Sequence, residues 1–161
     1  MEPESQRDAA AVRVFPPGVP LLTVLGGVGL QRVWPIDPGF QLPALLRYGI
    51  GGAVVLGAFL GLGFWSVLVM RRTGQSENPW KPTFSIVRQG PFRITRNPMY
   101  LQMVLICAGF AILLANAWIL VLTPFCAWIL QRFAIRPEEA YLERKFGAQY
   151  LDYKERVPRW F

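Results

Sequence analysis

The sequence predicts an all-α integral membrane protein with four transmembrane helices and a C-terminal amphipathic helical tail. Three observations lead to this fold class. Apolar residue types make up 53% of the 161 residues. The charged residues are confined to short stretches between long apolar runs, as is usual for membrane proteins. After the last apolar run, apolar and aromatic residues recur at helical spacing among many charged ones.

Four apolar segments supply the transmembrane helices. Their predicted bounds are 18–34, 48–70, 98–115 and 117–135. The second has 23 residues without a charge, which makes roughly 34 Å of helix and is ample for a bilayer. The first is short, and Arg32 near its end would have to extend toward the headgroups. Only Asn116 separates the last two, which predicts a tight helical hairpin, and Pro124 predicts a kink in its second helix.

The distribution of basic residues predicts the topology. The loop 71–97 has six basic residues against one acid, the chain from Arg132 onward has seven, and the hairpin tip has none. The positive-inside rule places this loop and the tail on the cytoplasmic side, and four crossings return the N-terminus there as well. The net charge of +7 is therefore attributed to topology and anionic lipid headgroups rather than to nucleic acid. Residues 1–15 begin with a polar, acidic stretch and predict a mobile tail rather than a signal peptide, followed by a single membrane domain, 16–161.

The segment 137–158 predicts a cytoplasmic amphipathic helix. Pro137 suits its first turn, and two acids follow at the positive end of the helix dipole. One apolar face then comprises Tyr141, Leu142, Phe146, Tyr150, Tyr153 and Val157. Gly147 bends or breaks the helix. This pattern suits a helix lying at the headgroup level or one folding back over the loop 71–97.

Several kinds of chemistry are excluded by composition. The chain has no histidine, so histidine bases, histidine haem ligands and Cys/His zinc sites are ruled out. Cys107 and Cys126 lie in separate apolar runs, and their spacing indicates neither a disulfide nor a metal pair, so they are interpreted as apolar filler. No metal site is predicted. Gly57 and Gly61 form a small-xxx-small pair in the second segment, which favours close helix packing over a nucleotide loop.

Two polar clusters are expected to meet at one end of the hairpin. The first consists of Gly90, Pro91, Arg93, Arg96, Asn97 and Tyr100, and the second of Arg132, Arg136, Glu138 and Glu139. They must lie close together because the hairpin begins directly after the first cluster and ends within the second. The arrangement suits a pocket for a charged amphiphile, in which an arginine holds a carboxylate and a glutamate accepts from hydroxyl or ammonium groups. The alternative is that the arginines anchor the membrane edge and the acids only cap a helix.

Two stretches carry a resemblance to a known family. The stretch "VRQGPFRITRNPMYL", followed about forty residues later by "RPEEAYLERKFGAQYLDYKERVPRW", resembles the integral membrane methyltransferases typified by isoprenylcysteine carboxyl methyltransferase and phosphatidylethanolamine N-methyltransferase. The resemblance covers roughly residues 79–160. It implies S-adenosylmethionine as methyl donor, held in a cytosolic pocket between the hairpin ends and the tail. It also implies a lipophilic acceptor that enters from the membrane.

The resemblance also implies the site residues. The cofactor would be bound by Val87, Gly90, Phe92, Arg96, Asn97, Pro98, Tyr100, Glu138 and Glu139. Catalysis would be mainly positioning, with Arg96, Asn97 and Tyr100 organising the site. A carboxylate acceptor needs no base, so a site without histidine favours an isoprenylcysteine-like carboxylate, with a phospholipid amine next.

The sequence departs from the family pattern at three positions. Asn97 stands where the family has a histidine between arginine and proline, and Phe84 lies near another usual histidine. Ala134 replaces an arginine before the paired acids, for which Arg132 and Arg136 are possible stand-ins. Two other functions remain open from sequence: an NADPH-dependent membrane reductase of the sterol reductase type, and a non-enzymatic lipid-binding or scaffold protein.

Overall fold

The computed structural model describes residues 9–39 and 42–160, and all regular structure in these ranges is helical. The helices are α1 (Gly18–Val33), α2 (Ala44–Arg72), α3 (Pro98–Leu113), α4 (Ala117–Phe146) and α5 (Ala148–Arg156), with a 3₁₀ turn at Gly90–Arg93. The all-helical prediction is thus confirmed for the described residues. Two helices, α2 and α4, are long and apolar enough to cross a membrane, and α1 and α3 are shorter apolar helices.

Two helices extend beyond the ranges expected from their apolar runs. α2 begins at Ala44, directly after Pro43, and includes Arg47, whose guanidinium lies 4.8 Å from the centre of the Tyr48 ring. A charged residue at a helix end does not break helical hydrogen bonding, so the apolar run understates the helix. α4 continues to Phe146 through a π-helical segment, Gln131–Ile135, which ends two residues before Pro137. This π-helical segment, whose turns are wider than those of an α-helix, joins the apolar part of α4 to its polar end without a loop.

Close helix packing depends on glycines other than the predicted pair. α3 packs between α2 and α4, and α1 packs against α4. A Cβ atom added at Gly51 of α2 would lie 2.7 Å from the backbone nitrogen of Leu113 and 2.9 Å from the carbonyl oxygen of Gly109. At Gly57 and Gly61 the same atom would meet nothing within 4 Å. The small-xxx-small pair therefore faces outward, and its predicted role in packing is wrong within this chain.

The two cysteines are neighbours in the core, which their sequence spacing did not indicate. Their Sγ atoms lie 4.0 Å apart, with both thiols free and buried. α3 and α4 are antiparallel neighbours, so residues far apart in sequence meet across their interface. The packing role expected of the cysteines agrees with their burial.

The N-terminal segment differs from the predicted mobile tail. Residues 1–8 lie outside the described ranges, but Ala10 and Val12 are buried in the main core cluster. The backbone nitrogen of Arg13 donates to the carbonyl oxygen of Phe133 at 3.0 Å. The indole N–H of Trp80 donates to the carbonyl oxygen of Val12 at 3.2 Å. The segment 9–15 is thus fixed between α4 and the loop 71–97, and the prediction is wrong for these residues.

The C-terminal tail folds back over the loop 71–97. Gly147 adopts a positive φ of 51°, which divides the predicted tail helix into the end of α4 and the separate α5. The Tyr153 hydroxyl of α5 donates to the carbonyl oxygen of Phe92 at 2.6 Å. Beyond α5, the carbonyl oxygens of Pro158 and Arg159 accept hydrogen bonds from residues 95–97. Of the two arrangements left open by the sequence, the structure adopts the folded-back one.

Candidate active site

A cavity of about 360 Å³ lies where the loop 71–97, the start of α3 and the polar end of α4 meet. Its volume falls within the usual range of small-molecule sites. The predicted residues that line it are Val87, Phe92, Arg96, Asn97, Pro98, Tyr100, Glu138 and Glu139. The hairpin therefore brings together residues from both polar clusters, as their sequence positions predict. Arg93 is exposed and is not among the lining residues.

Gly90 is the predicted cofactor residue that the cavity does not include. Its φ is +57°, in the left-handed region that favours glycine. A Cβ atom added there would lie 3.0 Å from Val69 Cγ2 and 3.2 Å from Trp65 Nε1 of α2. Glycine is required at this position by the turn and by packing against α2, so the expected approach to a ligand is corrected.

Glu139 is the centre of a buried ion cluster. Its side chain is only 6% exposed, and Arg159 donates to both carboxylate oxygens, from Nε at 3.0 Å and from Nη2 at 2.6 Å. Arg96 Nη1 lies 3.4 Å from Oε1 of the same carboxylate. A bidentate pair of this kind is geometrically specific. Two guanidinium groups share one carboxylate, and of these two arginines only Arg96 lines the cavity, together with the neighbouring Glu138.

Arg96 retains donors that the described part of the chain does not satisfy. Its side chain is 7% exposed, and neither Nε nor Nη1 has a hydrogen-bond acceptor among the described residues. A buried guanidinium with unpaired N–H groups is costly unless another group accepts from it. Arg96 therefore has the geometry of a residue awaiting an anionic or carbonyl acceptor.

The other acidic side chain belongs to a separate bridge between α3 and α4. The Tyr100 hydroxyl donates to Oε2 of Glu138 at 2.8 Å. Within the described ranges, Oε1 of Glu138 makes no hydrogen bond. Adjacent glutamates thus have different surroundings: Glu139 holds two arginines, and Glu138 keeps one oxygen for a donor that enters the cavity.

Two tyrosines of α5 form a neutral wall. Burial raises the pKa of Tyr153 to about 12, against the opposing effect of Arg96 and Arg88. Burial also raises the pKa of Tyr150 above its usual range. The Glu139 carboxylate raises the pKa of Arg159, so this arginine stays charged. At neutral pH the phenol groups of Tyr150 and Tyr153 are hydrogen-bond donors and not bases.

Two of the three departures from the family pattern, Asn97 and Ala134, have structural explanations. The Asn97 side chain donates to the carbonyl oxygen of Arg159 at 3.4 Å, so it helps to hold the C-terminal segment. Ala134 is fully buried in the core cluster that contains Ala10. The N-terminal segment thus covers the position where the family has an arginine. Arg132 and Arg136 are exposed and do not line the cavity, so neither stands in for that arginine.

Arg159 is the main site residue that sequence reasoning missed. It lies within the second quoted stretch, but in a short segment with no helical periodicity. The indole of the neighbouring Trp160 donates to Gln131 Oε1 at 3.1 Å and fixes the segment against α4. A basic residue between proline and tryptophan after an amphipathic helix was the available signal.

Comparison with known families identifies the family to which this helical bundle belongs. Residues 44–149, from the start of α2 into α5, match the phospholipid methyltransferase family. The match covers roughly two thirds of the chain. The chain belongs to this family, which confirms the resemblance described above.

Individual relatives agree with this assignment. An uncharacterized protein of Haemophilus influenzae is 41% identical over 64 residues, covering 38% of this chain and 98% of that protein. The protein-S-isoprenylcysteine O-methyltransferase of Saccharomyces cerevisiae is 36% identical over 72 residues, covering 45% of this chain and 30% of the yeast protein. Protein-S-isoprenylcysteine O-methyltransferase B of Arabidopsis thaliana is 32% identical over 73 residues, covering 45% of this chain and 37% of that protein. This chain therefore matches about a third of the length of each named enzyme. No solved structure matches it.

Proposed function

We propose that this protein uses S-adenosylmethionine to methylate the carboxylate of a lipophilic, isoprenylcysteine-like acceptor, with a phospholipid amine as the next choice. One observation carries the proposal. In the cavity at the end of the α3–α4 hairpin, Nε and Nη1 of the buried Arg96 have no hydrogen-bond acceptor and Oε1 of Glu138 has no donor among the described residues. A methyl donor that carries a carboxylate, an ammonium group and ribose hydroxyls would pair with both.

The chain's residues fit the methyl donor in named roles. Arg96 would hold its carboxylate, and Glu139 would keep Arg96 and Arg159 in place rather than bind the ligand directly. Glu138, oriented by Tyr100, would accept from the ammonium group or from a ribose hydroxyl. The bound donor supplies a methyl group on a sulfonium, which a nucleophile attacks in line. The remaining task of the protein is to align and desolvate the two reactants.

The scarcity of bases at the cavity supports the carboxylate acceptor, since Glu138 is assigned to the methyl donor. The chain has no histidine, and burial keeps Tyr150 and Tyr153 protonated at neutral pH. Glu139 is occupied by Arg159. A carboxylate attacks without losing a proton, whereas an ammonium headgroup must lose one first. The acceptor that requires least from these side chains is therefore anionic.

The proposed topology has four crossings, with the cavity and both termini on the cytoplasmic side. α2 and α4 are long enough to cross, and the basic loop 71–97 lies on the same side as the polar end of α4. α1 and α3 have 16 residues each, or roughly 24 Å of helix. We propose that these two helices cross where the bilayer thins around the bundle. Membrane lipids are then the immediate surroundings of the exposed apolar side chains.

The first experiment separates the candidate functions by ligand. The purified protein in detergent is subjected to thermal-shift assays with S-adenosylhomocysteine and with NADPH. We expect a shift with S-adenosylhomocysteine alone. A shift with NADPH alone would establish the reductase alternative, and no shift with either ligand would favour the scaffold. Labelled methyl donor with a panel of prenylcysteines and phospholipids then identifies the acceptor.

A matched pair of variants tests the placement of the donor. Arg96→Ala removes the guanidinium whose Nε and Nη1 lack hydrogen-bond acceptors among the described residues, and Arg93→Ala removes an exposed arginine from the same segment. A charged hydrogen bond is worth about 1.5–3 kcal/mol, so we expect Arg96→Ala to weaken S-adenosylhomocysteine binding roughly 10- to 100-fold. Arg93→Ala should leave it unchanged. Titration calorimetry that gives equal affinities for the two variants would rule out this placement.

A further inference from the structure

The C-terminal segment 158–160 is held against the site from two sides. The backbone nitrogen of Arg96 donates to the carbonyl oxygen of Pro158 at 2.9 Å, and the Thr95 hydroxyl donates to the carbonyl oxygen of Arg159 at 2.8 Å. On the other side, the indole of Trp160 donates to a side chain of α4 at 3.1 Å. The chain is therefore anchored at and around Arg159, which restricts where its guanidinium can reach.

The two arginines of the ion cluster contact Glu139 in different ways. Nε and Nη2 of Arg159 lie 3.0 and 2.6 Å from the two carboxylate oxygens, and both contacts are hydrogen bonds. Nη1 of Arg96 lies 3.4 Å from Oε1, but it makes no hydrogen bond within the described residues. Glu139 thus attracts Arg96 by its charge and accepts its hydrogen bonds from Arg159.

Burial alone predicts the opposite pairing. The Arg96 side chain is 7% exposed, and the Arg159 side chain is 30% exposed. Unpaired N–H groups cost more on the buried arginine than on the partly exposed one, because water can reach the latter. If Arg159 turned into water, we would expect Arg96 to take the carboxylate. The anchored segment 158–160 therefore holds the cluster in an arrangement that leaves the buried donors unused.

These unused donors are important because of the other charges at the cavity. Within the described part of the chain, Arg96 is the one arginine in the lining, which also includes Glu77, Glu138 and Glu139. The glutamates would repel a ligand carboxylate, so its binding depends on free N–H groups of Arg96. Arg159 does not line the cavity and can influence such a ligand only through its neighbours.

We propose that Arg159 is a positioning residue that keeps Arg96 available for the carboxylate of the methyl donor. This inference rests on the proposed function. By occupying both oxygens of Glu139, Arg159 prevents Arg96 from closing onto the same carboxylate, and the site stays preorganised for an anionic group. Arg159 thereby determines how strongly the protein prefers a nucleoside with a complete amino-acid end over one that lacks the carboxylate.

Two ligands that differ by one group test this role. Calorimetry in detergent compares S-adenosylhomocysteine with its decarboxylated analogue, in which hydrogen replaces the carboxylate. We expect Arg159→Ala to weaken binding of S-adenosylhomocysteine roughly tenfold, and binding of the analogue by less than about twofold. Arg156→Ala, at the exposed last residue of α5, is the matched control and should change neither affinity. Equal losses for the two ligands would show that Arg159 only supports the fold and would overturn the proposal.

A second substitution tests whether Arg159 acts through Glu139. In the double variant Arg159→Ala/Glu139→Gln, the neutral amide attracts Arg96 less than a carboxylate does, so the guanidinium is free for the ligand again. We expect the affinity for S-adenosylhomocysteine to rise at least about threefold above that of Arg159→Ala. An affinity no higher than that of Arg159→Ala would exclude the route through Glu139.

The conservative variant Arg159→Lys tests the same route without a second substitution. Lysine keeps the charge but lacks the planar fork that occupies both carboxylate oxygens. We therefore expect an affinity for S-adenosylhomocysteine between those of the unaltered protein and Arg159→Ala. Full affinity in Arg159→Lys would mean that charge alone is sufficient and would overturn the proposal.

Nuclear magnetic resonance of the ligand-free protein separates this inference from the proposed function. The guanidinium proton signals of Arg96 are assigned by their loss in Arg96→Lys. We expect Arg159→Ala to shift these signals, because Arg96 gains hydrogen bonds to Glu139, and Arg156→Ala to leave them in place. Shifted signals in a protein that does not bind S-adenosylhomocysteine would reject the proposed function alone. Unshifted signals in a protein that binds it would reject the positioning role alone.

Discussion

The two ends of the α3–α4 hairpin use their polar groups in opposite ways. At the tip, Asn116 accepts from the backbone nitrogen of Ile119 at 3.0 Å and donates to the carbonyl oxygen of Gly27 at 3.2 Å. Its backbone nitrogen donates to the carbonyl oxygen of Ala111 at 2.9 Å. The side chain therefore caps α4, ties it to α1 and carries no charge.

The other end, formed by residues 95–100 and 136–139, gathers charges from distant parts of the chain. Glu139 binds Arg159 and approaches Arg96, and yet Arg96 keeps unpaired donors within the described residues. Polar groups that saturate one another contribute to stability, and donors left over at a cavity contribute to binding. The comparison teaches that the tip is a structural joint and that the charged end is the place to look for a ligand.

The largest expected effect is at the charged end. Glu139→Ala removes the carboxylate that pairs with Arg96 and Arg159 and leaves a buried guanidinium without a counter-charge. We expect a loss of about 3–5 kcal/mol of stability, since breaking a buried pair by removing one partner is strongly destabilising. Thermal unfolding in detergent measures the loss. Glu155→Ala, at an exposed residue of α5, is the control; equal melting temperatures for both variants would show that the cluster contributes nothing.

The next effect is at the tip and should affect stability alone. Asn116→Ala removes a helix cap and a link to α1, which together are worth about 1–2 kcal/mol. The melting temperature should fall, and the affinity for S-adenosylhomocysteine should not change. A drop in affinity comparable to that of Arg96→Ala would abolish the contrast between the two ends.

A smaller effect is expected where α3 meets Glu138. Tyr100→Phe deletes the hydroxyl that donates to Oε2 and should cost about 0.5–1.5 kcal/mol. Because Glu138 then loses its orientation, we expect the affinity for S-adenosylhomocysteine to fall severalfold. Calorimetry at neutral pH measures this change. Tyr48→Phe, at an exposed tyrosine of α2, serves as the control. An unaltered affinity would show that the bridge only joins the helices.

The smallest effect at neutral pH concerns the tyrosine wall. Burial raises the pKa of Tyr153 in the folded protein to about 12, compared with about 10 for an unfolded tyrosine. A raised pKa means that its contribution to stability is complete below about pH 10 and is lost as the pH rises toward 12. Unfolding measured across this range should become less pH-dependent in Tyr153→Phe. The same pH dependence in both proteins would contradict the assignment.

Much of the charged end could be predicted from sequence because chain connectivity enforces it. Arg96 precedes α3 and Glu138 follows the apolar part of α4, so the hairpin itself brings them together. The interiors of the helices could also be predicted, since a long apolar run satisfies its backbone hydrogen bonds in lipid by forming a helix. The ends of α2 and α4 could not be predicted, because a charged residue near a helix end does not terminate the helix.

The parts that sequence did not reveal depend on irregular segments. Arg159 meets Glu139 through a short stretch without periodicity, and nothing local indicates where such a stretch docks. Ala10, Val12 and Val14 alternate as in an extended buried segment, but three positions are too weak a signal beside eight polar-rich residues. Gly90 was assigned to a ligand, although its contact with α2 explains the glycine.

The hydrogen bonds between residues 95–97 and the carbonyl oxygens of 158 and 159 have a consequence for biogenesis. Thr95 and its partner Arg159 are separated by 64 positions. A ribosome that makes the protein from the N-terminus completes α3 and the apolar part of α4 before it reaches this partner. The helices can therefore enter the bilayer while the cavity is still incomplete. On the proposed function, nascent chains would become competent to bind the methyl donor only after the helices have entered the membrane.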